Sequence, residues 1–119
     1  MKSPYVHISY VEGYNYRGPF PKGQLVQFVN SPRGTLSHFY SFCDNYNSHP
    51  EDIVNLGNSP DCLIEYGLID GCNSPSGVAV IIETGSSNAR VQFVDAVNQG
   101  NGCFATYAAG TIWETCRAF

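Results

Sequence analysis

The side chains best equipped for chemistry are five cysteines, Cys43, Cys62, Cys72, Cys103 and Cys116, and three histidines, His7, His38 and His49. No two cysteines form a CxxC or CxC pair, and none joins a histidine in a ligand cluster, so the zinc-finger and thioredoxin-type readings fall away. Asp44, Asp52, Asp61 and Asp70 lack EF-hand spacing. No metal and no cofactor is expected. A cysteine–histidine nucleophile is disfavoured too, because His38 lies five residues before Cys43 and His49 six after it, whereas helix neighbours sit three or four apart. Glu65, Glu83 or Asp95 could join a histidine and Arg90 in general acid–base work of the ribonuclease kind. Glu83 and Arg90 flank a turn and read as cross-strand neighbours, but nothing sets a histidine opposite them. The chain is therefore not expected to be an enzyme, with a small ribonuclease-like hydrolase as the alternative.

Scattered cysteines in a short chain are used as disulfides in oxidising compartments. Cys62, Cys72, Cys103 and Cys116 are the disulfide candidates, since all four fall in or beside expected strands. Pairing of Cys62 with Cys72 and of Cys103 with Cys116 is one of several connectivities the sequence admits. Cys43 is the odd thiol, free and buried in the core, with an intermolecular disulfide or a reactive thiol as the alternatives. Secretion is expected on this ground, with a cytosolic protein of five reduced thiols as the alternative. The first residues carry no apolar signal stretch, so a signal peptide would already have been removed.

Composition narrows the partners. Charged residues make up 13% of the 119 and the net charge is −4, against about 25% charged in an average globular domain. The six Lys and Arg do not cluster, which argues against nucleic acid, and no apolar run is long enough to span a membrane. Tyr5, Tyr10, Tyr14 and Tyr16 crowd the N-terminal stretch. Exposed tyrosines anchor interfaces, so these four are the candidate binding residues. A protein partner is expected, a homodimer among the forms this admits, with a glycan or cell-wall ligand as the alternative.

The elements that must position these residues read as follows. The segment 5–16 begins as a strand with Val6, Ile8 and Tyr10 on one face. Residues 18–23 are a turn-rich break and 24–29 a second strand. Leu36, Phe39, Tyr40 and Cys43 fall at i, i+3, i+4 and i+7, the spacing of one helical face, with Thr35 as N-cap. Ser48 and Glu51 fit a capping box for a second short helical piece carrying Ile53, Val54 and Leu56. Residues 62–69 read as a strand, 78–83 and 89–97 as a hairpin around Gly85–Asn88, and 103–108 and 111–116 as a closing hairpin. Asn-Ser-Pro occurs at Asn30, Asn58 and Asn73 and reads as three turns, not as a repeat, since the flanks do not match. The chain is thus expected to be a single domain over 1–119, of α+β class: a mainly antiparallel β-sheet with one short helical segment packed on a face. An all-β sandwich or small barrel is the alternative.

The Met1-Lys2-Ser3-Pro4 start, the scattered Cys43 to Cys116, the Asn-Ser-Pro turns and the closing Cys116-Arg117-Ala118-Phe119 together resemble, in style, the small secreted proteins of filamentous fungi, including effectors of plant pathogens. That resemblance implies a secreted, non-enzymatic protein that acts by binding a host or partner protein. It spans the chain in composition and rests on no diagnostic motif, so it assigns no residue a role.

Overall fold

A computed structural model describes residues 3–16, 23–44, 48–72 and 74–119. It contains ten strands, β1 (His7–Tyr14), β2 (Val26–Val29), β3 (Thr35–Phe42), β4 (Val54–Gly57), β5 (Leu63–Cys72), β6 (Val78–Ile82), β7 (Arg90–Gln99), β8 (Gly102–Thr106), β9 (Ile112–Glu114) and β10 (Arg117–Ala118), and no helix among the described residues. Every strand pairing is parallel. Alternate strands go to alternate sheets. Sheet A runs β1-β3-β5-β7, with β9 and β10 both on β7, and sheet B runs β2-β4-β6-β8. The chain therefore winds as a β-solenoid. His7 lies beside Thr35, Thr35 beside Leu63, Leu63 beside Arg90 and Arg90 beside Ile112. The first two steps are 28 residues each, and the last coil tightens to 22.

This replaces the expected α+β antiparallel sheet, and equally the sandwich or barrel. The expected helix over 35–47 is β3, and residues 45–47 lie outside the described residues. The deception has a specific origin. Tyr10, His38, Tyr66, Phe93 and Thr115 occupy the same station of successive coils, and all have positive φ, between 51° and 55°. A left-handed residue inside a strand turns its own side chain to the face its predecessor already occupies. The pattern then runs in-out-out-in, so inward residues fall three apart instead of two. Leu36 and Phe39 point into the core on either side of Ser37 and His38, a spacing that imitates a helix. The same device moves Tyr10 off the face of Val6 and Ile8.

The expected capping box is not helical. Ser48 instead donates from Oγ to the Tyr16 carbonyl at 2.8 Å, and Val54 begins a strand. Neither hairpin forms. The 85–88 turn is a corner between β6 in sheet B and β7 in sheet A, and the 107–111 turn likewise joins β8 to β9 across sheets. The strands expected over 5–16, 24–29 and 62–69 do form, as β1, β2 and β5. The 18–23 break falls largely on 17–22, outside the described residues.

One core runs between the sheets. Leu36, Ile64 and Val91 form one inward row from sheet A; Val54 and Val80 form another from sheet B; all are fully buried. Gly67 sits where the Phe39 ring lies over the next coil, and a β-carbon there would overlap that ring. Two of the three Asn-Ser-Pro turns are one corner repeated. Asn58 donates from Nδ2 to Asn30 Oδ1 at 2.6 Å, one coil away. Beneath them the backbone N–H of Ser31 donates to Ser59 Oγ, and that of Ser59 to Ser86 Oγ, both at 3.0 Å. Polar side chains stacked this way satisfy the corner's backbone groups where water is excluded. Asn73 lies outside the described residues, and Ser74 with Pro75 belongs to a different corner.

Candidate functional site

The four tyrosines expected to bind together are separated by the fold. Tyr16 turns inward, where its hydroxyl lies 2.7 Å from Ser41 Oγ, and burial pushes its phenol pKa well up. Tyr5 is exposed at a corner, accepting a hydrogen bond from Arg33 at 2.9 Å with the guanidinium over its ring. Only Tyr10 and Tyr14 share a face, the outer face of sheet A.

That face carries the most distinctive side-chain array in the molecule. The left-handed stations bring Tyr10, His38, Tyr66 and Phe93 into one column. Their rings stack with centroids 4.9, 5.0 and 5.2 Å apart and interplanar angles of 22°, 27° and 3°. The spacing follows from the backbone, since adjacent strands lie about 4.8 Å apart. Each stacked pair contributes about 0.5–1.5 kcal/mol beyond its buried area. That offsets much of the cost of about 1–2 kcal/mol for an L-residue in the left-handed region. Tyr10 is 79% exposed while Tyr66 and Phe93 are 46% and 43%, because Tyr10 ends the stack and one of its ring faces has no neighbour.

A second column follows at Glu12, Tyr40 and Leu68. Tyr14 packs edge-on against Tyr40 at 5.6 Å and donates to Glu12 at 3.1 Å, which raises the Tyr14 pKa. Tyr10, Glu12, His38, Tyr40 and Tyr66 line one shallow depression. Around it the carboxylates receive neutral donors: Gln92 to Glu65 and Asn98 to Asp70, both at 2.7 Å. Arg90 and Arg117 sit toward the C-terminal end of the face. They are bound to Glu114 at 3.3 Å and to Asp95, whose pKa is lowered chiefly by the hydrogen bond from Arg117. The anticipated Glu83–Arg90 neighbourhood is thus absent; Glu83 instead accepts from Asn55 at 3.3 Å on sheet B. The face is aromatic at its centre and acidic around the open half.

The disulfide staples are corrected. Cys43, Cys62, Cys72, Cys103 and Cys116 are all free, with no pair at bonding distance. Cys62 and Cys72 are buried and their thiols are directed at carbonyls of neighbouring turns, Ser31 at 3.4 Å and Glu51 at 3.0 Å. Burial raises the pKa of both, that of Cys72 to about 12. Burial also raises Cys103 and Cys116, which are half-buried at the C-terminal end. Cys43, the thiol singled out from the sequence, is buried in the core cluster. Among the described residues no three of His, Cys, Asp and Glu converge as metal ligands.

Sequence reasoning missed His38, Tyr40, Tyr66, Leu68 and Phe93. The signal was present: Tyr10, His38, Tyr66 and Phe93 are spaced by 28, 28 and 27 residues. Asn30 and Asn58 repeat the same interval. Comparison of this chain with protein-family models, with curated proteins and with solved structures finds no match in any of the three.

Proposed function

We propose that this is a non-enzymatic binding protein that docks a protein partner on the outer face of sheet A. The observation that carries the reading is the patch formed by Tyr10, Tyr14, His38, Tyr40, Tyr66, Leu68 and Phe93 on one sheet face. A contiguous exposed apolar patch with a polar rim is the ordinary mark of a docking surface, and tyrosine supplies large contact area at low entropic cost. The ring stacking favours protein over glycan. A sugar packs on a ring face, and within the column the faces cover one another, leaving one face of Tyr10, the ring edges, the tyrosine hydroxyls and the histidine directed outward. The rim acids Glu12, Glu65 and Asp70 select a partner with apolar side chains bordered by Lys or Arg. Neither Arg90 nor Arg117 borders the depression, so His38 lacks the cationic companion a ribonuclease-like centre requires. With all five cysteines free, secretion rests on the low charge and on the resemblance to small secreted fungal proteins.

The test is to pan a random peptide library on the intact protein. Peptides mixing aromatic or aliphatic residues with Lys or Arg are expected to be enriched. Their affinity should fall about tenfold or more with Tyr40→Ser or Leu68→Ser, as for an interface anchor worth over 1.4 kcal/mol. Peptides that bind both variants as tightly as the parent sink the proposal, and selective retention on an insoluble polysaccharide would move the assignment to a glycan.

A further inference from the structure

Sheet A leaves a core-type side chain partly uncovered at each end of the solenoid. At the inward station shared by Ile8, Leu36, Ile64, Val91 and Trp113, the three middle residues are fully buried while Ile8 and Trp113 are only partly covered. In sheet B, Val54 and Val80 are fully buried, Val26 at the β2 end is also buried, and the half-buried residue is Phe104 at the other end, whose ring lies 5.3 Å from that of Trp113. Repeat proteins ordinarily cover their ends with polar side chains. In sheet A both ends show core-type apolar residues beside outermost strands, β1 at one end and β9–β10 at the other, each with one strand neighbour among the described residues.

We infer that the β1 edge of one copy receives the β9–β10 edge of a second copy, continuing sheet A head to tail. Register selects this occupant. Glu12, Tyr40, Leu68, Asp95 and Arg117 occupy a single outward station. One more step therefore sets the Glu12 carboxylate of the next copy against Arg117. The Arg117 guanidinium already donates from Nε and one terminal nitrogen to Asp95, and its remaining N–H donors are enough for a second carboxylate. The row becomes Asp95–Arg117–Glu12, charges alternating across the junction. Two residues on, Phe119, whose N–H donates to the Ala96 carbonyl at 3.0 Å, meets Tyr14. Both side chains are exposed, Phe119 at 72% and Tyr14 at 58%. On the inner side Trp113 meets Ile8. The left-handed residue Thr115 occupies the station of Tyr10, so the two backbones carry the same irregularity at the same place. The junction joins unlike surfaces, so it leaves one free end of each kind and grows with concentration instead of stopping at a pair.

Sedimentation velocity over micromolar to millimolar concentration tests this. The parent protein should rise from its 13.0 kDa monomer mass by about twofold or more, as an open head-to-tail contact requires. Glu12→Arg and Arg117→Glu should each remain at monomer mass, because each sets like charges face to face. An equimolar mixture of the two should assemble again, since every junction between unlike copies then pairs opposite charges. Should Arg117→Glu unfold, Arg117→Gln with Glu12→Gln provides the milder comparison, and circular dichroism verifies the fold of each. A parent that stays monomeric throughout overturns the inference. So does assembly lost with Glu12→Arg but kept with Arg117→Glu, which would place β1 against β1.

Discussion

Sheet A and sheet B are made by the same coils and share one core, yet they are built differently. Sheet B strands are four or five residues long with no positive-φ residue. Their outward row, Gln27, Asn55, Ile81 and Ala105, is mixed, and Asn55 is buried between Gln27, Asp52 and Glu83. The first four strands of sheet A run eight to ten residues, each interrupted by a left-handed residue whose side chain is thrown outward. The inner wall is the same in kind on both sheets; the departure from ideal strand geometry is confined to the wall that presents rings to solvent. Local conflict with backbone preference that recurs at one place points to a function the regular wall does not have.

The comparison can be broken at the core first. Ile64→Ala in sheet A and Leu56→Ala in sheet B remove side chains of similar size that are both fully buried. Each should cost about 2–5 kcal/mol in urea unfolding. A near-neutral result on one side would mean that the sheets do not share a core.

A smaller effect probes the inner face of sheet A alone. Gly67→Ala drives a methyl into the Phe39 ring and should cost about 1–3 kcal/mol through overpacking. Adding Phe39→Leu should recover part of that loss; if the double variant is less stable than the sum of the singles, the clash is elsewhere.

The outer faces come next. Tyr66→Ala keeps the left-handed backbone and removes two stacked contacts, for a loss of about 1–3 kcal/mol. Ile81→Ala on the outer face of sheet B, where no such column exists, should cost less. Equal losses would deny the ring column any special role.

The last expected effect appears only at alkaline pH. The Cys72 thiol is raised in the folded state, first by burial, from its ordinary 9.0 to about 12. The folded chain therefore holds this proton where the unfolded chain releases it. Its contribution is complete below pH 9 and is lost as pH climbs toward 12. Cys72→Ala should flatten the alkaline limb of a stability–pH profile; an unchanged limb would assign it to other groups.

Individual strands of both sheets were partly legible in the chain, since β1 and β5 of sheet A and β2 of sheet B follow from apolar alternation and β-branched content. The architecture was not, for two physical reasons. A left-handed residue cannot be distinguished by type when the positions are filled by Tyr, His, Phe and Thr instead of Gly or Asn. And parallel coils pair residues 28 apart, so Gly85–Asn88 shows the composition of a hairpin turn while acting as a corner. Tyr10 and Tyr14 were identified from crowding alone, whereas His38, Tyr66 and Phe93 become visible only once the coil length is known. Scattered placement of Cys62, Cys72, Cys103 and Cys116 suggests cross-linking, whereas Cys62 and Cys72 fill buried corners and Cys103 and Cys116 are half-buried free thiols.

The left-handed stations also act as an index mark for the winding. Sliding one strand of sheet A by a single residue would set a kinked backbone against an extended one and move a ring off its column, so neighbouring coils can lock at one setting only. Insertions can then accumulate in the corners without consequence for the alignment, while a single-residue deletion inside β3 or β5 sets that strand's own ring or inward residues out of line with both neighbouring coils. A whole coil of 28 residues, by contrast, could be duplicated between β3 and β5 and find its place unaided.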